Sequence, residues 1–252
     1  MLNETWLKKS IKKNELFPVD AYKVFRLDRT RETHPIDPND PKKFRKNGGG
    51  AMIAIKRELD ISSTKIEFKC AAEILGVTLT FSNGKKLVLC SFYRVGTLGI
   101  DNHNEFKKYI QKARSCKGVK GIIIVGDLNM PKIDWDNFSS SENIDQLFLD
   151  SFTNFELEQL INEPTHIRGN ILDLLLTDKS PLISGTNVSE TILPCKADHY
   201  CITFNIKSKF KRLKIPKRDV YNYKRADWSA INSGLSSVDW ANEFQGNIHE
   251  NW

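Results

Sequence analysis

The chain has 252 residues, enough to bury one large core and carry an extension. Its 38 Lys and Arg against 31 Asp and Glu leave a net charge of +7 and a pI of about 9.1, a balance that suits a polyanionic partner. Five cysteines without CxxC spacing suggest neither a disulfide framework nor a zinc site. With no signal-peptide core in residues 1–9 and no apolar run of membrane length, a soluble intracellular protein with no membrane partner is expected.

In chain order, Glu4 follows a short apolar start, and residues 22–27, 51–56, 73–80 and 87–93 read as strands by alternation or short apolar runs. Residues 30–47, with their Pro, Asp, Asn and Lys, read as a long polar loop. Gly48 to Gly50 let the chain enter the next strand rather than cradle a phosphate, and Asn83-Gly84 is a hairpin signal. A helix is expected at 104–115. In the run GIIIVGDLN at 121–129, residues 121–125 then read as a buried strand, with Asp127 and Asn129 at its carboxyl end, where side chains leave the core. A plain turn explains the same letters, because Asp and Asn hydrogen-bond their own backbone there.

A second helix is expected at 144–158, and an apolar strand at 171–176 encloses one carboxylate, Asp173. A lone buried carboxylate costs several kcal/mol unless it is paired, and His199 is the best candidate partner. Asp198 and His199 open ADHYCITFNI, whose residues 200–206 alternate as a strand. From residue 207 alternation stops, a basic run with Pro216 intervenes, and a helix at 226–235 carries Trp228, with Trp240 beyond. These changes set a boundary between 1–206 and 207–252, with the two tryptophans as anchors for a following domain. The basic runs at 42–46 and 207–218 suit solvated loops or contacts with a nucleic-acid backbone, whose affinity falls with salt.

Glu4, Asp127 with Asn129, Asp173, and Asp198 with His199 thus each stand near a strand end. Such a set suits a hard divalent cation held on a phosphate ester, with a base to direct water and no need for a Ser or Cys nucleophile.

The segments LNETWL (2–7), YKVFRLDR (22–29), GGGAMIAIK (48–56), SFYR (91–94), GDLNMPKIDW (126–135), PTHIRGNILDLLLTD (164–178) and ADHYCI (197–202) occur in one order. In that order they resemble the endonuclease/exonuclease/phosphatase superfamily, most nearly the endonuclease domain of non-LTR retrotransposon polyproteins. Residues 218–240 are similar to the stretch that joins such domains to a reverse transcriptase. The resemblance implies an α+β fold, a four-layer α/β/β/α sandwich of two mostly antiparallel sheets. It implies Glu4 and Asp198 as ligands of Mg²⁺ or Mn²⁺, His199 at the scissile phosphate held by Asp173, and Asp127 as the residue that activates water or handles the leaving group. Asn129 would position it, Tyr93 would donate to a phosphate oxygen, and Thr165 would stand near the same phosphate. DNA and a reverse transcriptase in cis are the implied partners, and the nucleus is the implied place of action.

Two departures from the pattern stand out. The family's first strand, with an asparagine that reaches the metal or phosphate, precedes the glutamate segment, whereas here Met1 lies three residues before Glu4. A missing N-terminal strand would expose a ladder of backbone groups and part of a core. Ala197 replaces the usual serine before Asp-His, removing a supporting hydrogen bond. The alternatives are a noncatalytic remnant that binds nucleic acid or protein, a phosphoesterase of the same superfamily acting on another ester, and a chain that does not fold stably.

Overall fold

The computed structural model describes residues 1–30, 48–59, 61–68, 72–94, 99–190, 197–207 and 223–243. The basic runs, apart from Lys207, lie outside these residues, as do Cys70, Cys195 and the expected loop from residue 31 onward. The chain divides into two compact units, residues 1–214 and 215–252.

The first unit opens with β1 (Leu2–Asn3), a single helical turn α1 (Lys13–Leu16) and β2 (Tyr22–Leu27). Next come β3 (Ala51–Lys56), β4 (Ser62–Lys65), β5 (Glu73–Thr80), β6 (Lys86–Tyr93) and helix α2 (Ile100–Ser115). β7 (Val119–Asp127), the short pair β8 (Ile133–Asp134) and β9 (Ser139–Ser140), and helix α3 (Asn143–Asn154) follow. β10 (Glu158–Gln159), β11 (Asp173–Thr177), β12 (Ile183–Ser189) and β13 (Cys201–Ile206) complete it.

Six strands form one sheet in the order β10-β11-β7-β6-β5-β4, antiparallel except between β6 and β7. Parallel neighbours need a crossover, which α2 supplies. A second sheet has the order β1-β3-β2, and β12 with β13 forms a separate antiparallel ladder.

Side-chain alternation sorts the layers. On β7, Ile122 and Ile124 face α2 and α3, where they meet Phe106, Tyr109, Phe148 and Phe152. Ile123, one residue out of phase, faces the opposite core with Leu75, Val77 and Leu175, against Phe25, Ile53 and Ile55 of the second sheet. The result is the α+β sandwich. Among the described helices of this unit, α2 and α3 bury a face against the six-stranded sheet, whereas α1 buries nothing. Tyr109 lies so close over Gly76 that a side chain there would meet its phenol, which seats α2 directly on β5.

β2, β3 and β5 run over the expected bounds. β7 extends beyond the expected 121–125 at both ends, which makes Asp127 its last residue. α3 stops at Asn154, short of the expected 158, because Phe155 caps it by donating to the Ser151 carbonyl and Glu156 turns left-handed at φ +50°. Neither β4 nor β12 has an apolar rhythm, and each is defined by the ladder it makes with one neighbour. Gly84, at φ +76°, makes the expected β5–β6 turn, with Asn83 Oδ1 accepting from the Lys85 N–H at 3.0 Å. Among the described cysteines, Cys90 is buried, whereas Cys116 ends a helix and Cys201 opens a strand, and both are half-buried. No described helix is long and apolar enough to cross a membrane.

In the second unit α4 (Trp228–Ser236) is capped by Asp227, whose carboxylate accepts from the Ala230 N–H at 2.9 Å, and α5 (Trp240–Glu243) follows. Trp228, Ile231, Leu235 and Trp240 are exposed.

His103 of α2 is buried, with Nε2 2.8 Å from Ser151 Oγ of α3. Burial first, then the Lys107 charge, holds its pKa below the ordinary 6.5. Between the folded and unfolded values the unfolded chain binds more protons, so this contribution is intact above pH 6.5 and is lost as pH falls below it. His103→Gln should therefore show a flatter Tm than the parent chain as pH falls below that value. Equal slopes in a thermal-melt series would refute the assignment.

Candidate active site

The topology brings the polar residues together. β6 and β7 are parallel, so their carboxyl ends lie side by side, and the Arg94 N–H donates to the Asp127 carbonyl at 2.8 Å. β11 is antiparallel to β7 with Asp173 opposite Asp127, which sets the start of one strand beside the end of the other. An antiparallel bridge between His166 and His199 draws the entrance of β13 to the same edge.

Glu4 arrives from the second sheet. Ser91 Oγ donates to Asn3 Oδ1 at 2.6 Å and Asn3 Nδ2 donates to the Phe92 carbonyl at 3.2 Å, tying β1 to β6. Gly126 is required here, since a Cβ would strike that same carbonyl and the Asn3 amide. The Tyr93 hydroxyl donates to the Glu4 carboxylate; burial, then this bond and the Glu4 charge, push its pKa up and keep the phenol protonated. Behind them Glu73, 1% exposed, accepts from Arg29 Nε and the Gly50 N–H, both at 2.6 Å.

Asp127 is buried and accepts from the Asn129 N–H at 2.8 Å. Burial above all, then the Asp173 charge, pushes its carboxyl up to about 7. Asn129 is left-handed at φ +48°. Arg94 holds that turn, with Nη1 donating to the carbonyls of Leu128 at 3.3 Å and Asn129 at 2.9 Å while Nη2 pairs with Asp145 of α3 at 3.3 Å.

Asp173 and His199 form the expected pair, His199 Nδ1 to Asp173 Oδ2 at 2.7 Å. The bond to Asp173 outweighs burial and raises His199 to about 9, so the ring is cationic at neutral pH and Nε2 carries a second proton. Thr165 is fully buried and its Oγ1 accepts from the Leu172 and Asp173 N–H groups, both at 2.9 Å. It stands behind Asp173 and fixes the start of β11.

His166 was not singled out in the sequence. Its buried ring meets His199 edge-on, with centroids 4.9 Å apart. Its Nδ1 accepts from the Arg168 N–H at 3.2 Å, which leaves the proton on Nε2, 3.5 Å from Asp198 Oδ2. Asp198 is two-thirds exposed. Partial burial favours its neutral form, but its own backbone N–H and the two imidazoles hold it below the usual carboxylate range. The TH of PTHIRGN was the available signal, and its meaning depends on the bridge to His199.

Glu4, Asp127, Asp173, Asp198 and His199 line one cleft of about 520 Å³. Asn129 and Tyr93 adjoin it through Asp127 and Glu4. Asp127, Asp173 and His199 offer donor atoms within 4.8 Å of one another, as do His166, Asp198 and His199, whereas Glu4 enters neither group. Carboxylate oxygens are hard donors, and a divalent cation would favour the charged form of Asp127, which burial and then the Asp173 charge oppose, so the residues fit such an ion.

Two facing sheets with a carboxylate and imidazole cluster at their strand ends define an α+β sandwich whose cleft suits a hard cation. Residues 87–203 match the family model described as endonuclease-reverse transcriptase. Among solved structures, an endonuclease/exonuclease/phosphatase family protein from Leptotrichia buccalis is 13% identical with a TM-score of 0.51, over 82% of this chain and 83% of that one. The human Nocturnin catalytic domain with bound sulfate is 14% identical with a TM-score of 0.47, over 81% and 79%. The Haemophilus ducreyi cytolethal distending toxin is 16% identical with a TM-score of 0.41, over 64% of this chain and 63% of that one, so this chain spans less than two thirds of it. No curated protein matches. The fold is thus the one seen in the endonuclease/exonuclease/phosphatase superfamily, and residues 87–203 are similar to the endonuclease-reverse transcriptase family. That superfamily is hydrolytic, comprising nucleases and phosphatases, and is typically dependent on a divalent metal.

Proposed function

We propose that the chain is a metal-dependent DNA endonuclease that nicks target DNA and so primes reverse transcription in a non-LTR retrotransposon, with a reverse transcriptase in cis beyond residues 207–252 and action in the nucleus. The observation that carries this reading is the Asp173–His199 pair beside Asp127, in one cleft with Glu4 and Asp198, within a stretch matched to an endonuclease-reverse transcriptase family.

Glu4 and Asp198 would hold Mg²⁺ or Mn²⁺, which when bound offsets charge on a phosphate oxygen. Asp127, poised to lose its proton near neutral pH, accepts one from the attacking water, with Asn129 beside it. His199, kept cationic by Asp173, donates from Nε2 to the scissile phosphate as negative charge builds there. Tyr93, kept protonated, orients Glu4 and supplies a hydroxyl at the same edge.

The test is nicking of supercoiled plasmid at low salt by the parent chain and by His199→Ala. Nicking that needs Mg²⁺, stops with EDTA and is lost in His199→Ala is the expected result. An intact plasmid with the folded parent chain and Mg²⁺ would overturn the reading.

A further inference from the structure

Two residues beyond Glu4 stands a tryptophan that the proposed chemistry leaves unused. Trp6 is 61% exposed, and it holds a left-handed backbone at φ +53°. Glu4 does the same at φ +49°. Bulky residues rarely adopt this conformation, and such strain persists only where neighbouring structure imposes it, most often at functional sites.

The neighbouring structure here is a glycine seat. The Trp6 N–H donates to the Gly49 carbonyl at 2.9 Å and the Thr5 N–H to the Gly50 carbonyl at 3.3 Å. The indole rests over Gly48, where a Cβ would lie 3.7 Å from Cε2. Gly48, Gly49 and Gly50 all have positive φ, at 110°, 67° and 93°, and none carries a side chain of its own that would lift the indole. The Arg29–Glu73 pair locks it from beneath through the Gly50 N–H. One face of the indole is thus supported while much of the ring stays in water.

The chain leaving Trp6 is basic. Lys8, Lys9, Lys12 and Lys13 are exposed, and among the described residues none forms an ion pair. Their loop is braced on β2 by Arg26, which donates to the carbonyls of Ile11 at 2.6 Å and Lys8 at 3.1 Å. Nearby, Glu15 is taken by the Lys12 N–H at 2.7 Å.

We propose that Trp6 is a stacking platform for an unpaired nucleobase, and that these four lysines hold the phosphates of the same single strand as it leaves the cleft. This names the substrate form for the endonuclease reading and rests on it. A supported but exposed aromatic plane followed by a run of ammonium groups is the combination that binds single strands, because every base offers a face for stacking while the backbone offers charge. A closed duplex would hide the base faces, so the segment bound here is melted or single-stranded.

The experiment is fluorescence anisotropy of a labelled single-stranded DNA oligonucleotide in EDTA, with the parent chain, Trp6→Ala, Trp6→Phe and the double variant Lys12→Gln/Lys13→Gln. Thermal melts check that each is folded. Trp6→Ala should weaken binding by about five- to hundredfold, as expected for loss of one stacked base, and Trp6→Phe should recover most of it. The double lysine variant should flatten the dependence of log affinity on log salt by about 1.4. Binding by Trp6→Ala as tight as that of the parent chain, or no binding by the parent chain, overturns the proposal. The metal-free readout separates the two ideas. A chain that binds through Trp6 but never nicks sinks the endonuclease reading alone, and a chain that nicks while Trp6→Ala binds normally sinks the stacking platform alone.

Discussion

Asp173→Asn is expected to lower the nicking rate by about 10²- to 10⁴-fold, the range that positioned acid–base groups contribute, with little change in Tm. The carboxylate does two things at once. It accepts from His199 Nδ1 at 2.7 Å, which fixes the ring's orientation, and it is the first cause of the rise of His199 to about 9. Asparagine keeps the shape and leaves the backbone N–H on Thr165 Oγ1, so the start of β11 should survive. What it loses is the charge that keeps His199 protonated, and its amide can present either end to the ring. Single-turnover nicking at saturating Mg²⁺, beside a thermal melt, measures both quantities. A rate within a few-fold of the parent chain would remove this pair from the chemistry.

Phe148→Ala should cost about 3–5 kcal/mol, a large share of the 5–15 kcal/mol that holds a typical domain together. Phe148 is fully buried on α3 and packs against Phe92, Phe106, Phe152 and His103. The cavity left by its ring would sit between α2, α3 and the six-stranded sheet, where three rigid elements cannot collapse together. The Arg94 guanidinium also lies over this ring, 5.5 Å from its centroid, while it holds the carbonyls of Leu128 and Asn129. The Tm should therefore fall by roughly 6–20 °C, and nicking at a temperature where the variant is still folded should fall as well. A calorimetric Tm within about 2 °C of the parent chain would contradict the packing argument.

The strands most legible in the sequence were those whose side chains settle between two layers. β2, β3 and β5 carry an apolar rhythm that burial enforces, and their bounds follow from it. The pairing of Asp173 with His199 was legible for an energetic reason, since a carboxylate in an apolar strand demands a partner. β4 and β12 were not legible, because SSTK and ISGTNVS owe their conformation to backbone ladders rather than to burial. His166 escaped because one histidine beside a threonine carries no pattern until β13 is folded against it. The conformation of Trp6 was equally hidden: in LNETWL it reads as one more apolar residue, and only the left-handed backbone turns it outward. Thr165 shows the opposite limit, since its letter suits either a ligand contact or the buried hydrogen bonding it performs.

The tie of Asn3 to β6 and the pairing of His199 with Asp173 have a consequence for biosynthesis. The cleft joins residues from the two extremes of the first unit, Glu4 and His199, across almost the whole length of the sandwich sequence. Contacts so distant along the chain form late, and a domain emerging from the ribosome folds only as its partners arrive. During synthesis Glu4, just after β1, and Asp127 of β7 are thus exposed to solvent and metal without the imidazole that would complete them. Cutting power would arrive in one step, when the last strands close, and not grow gradually with chain length.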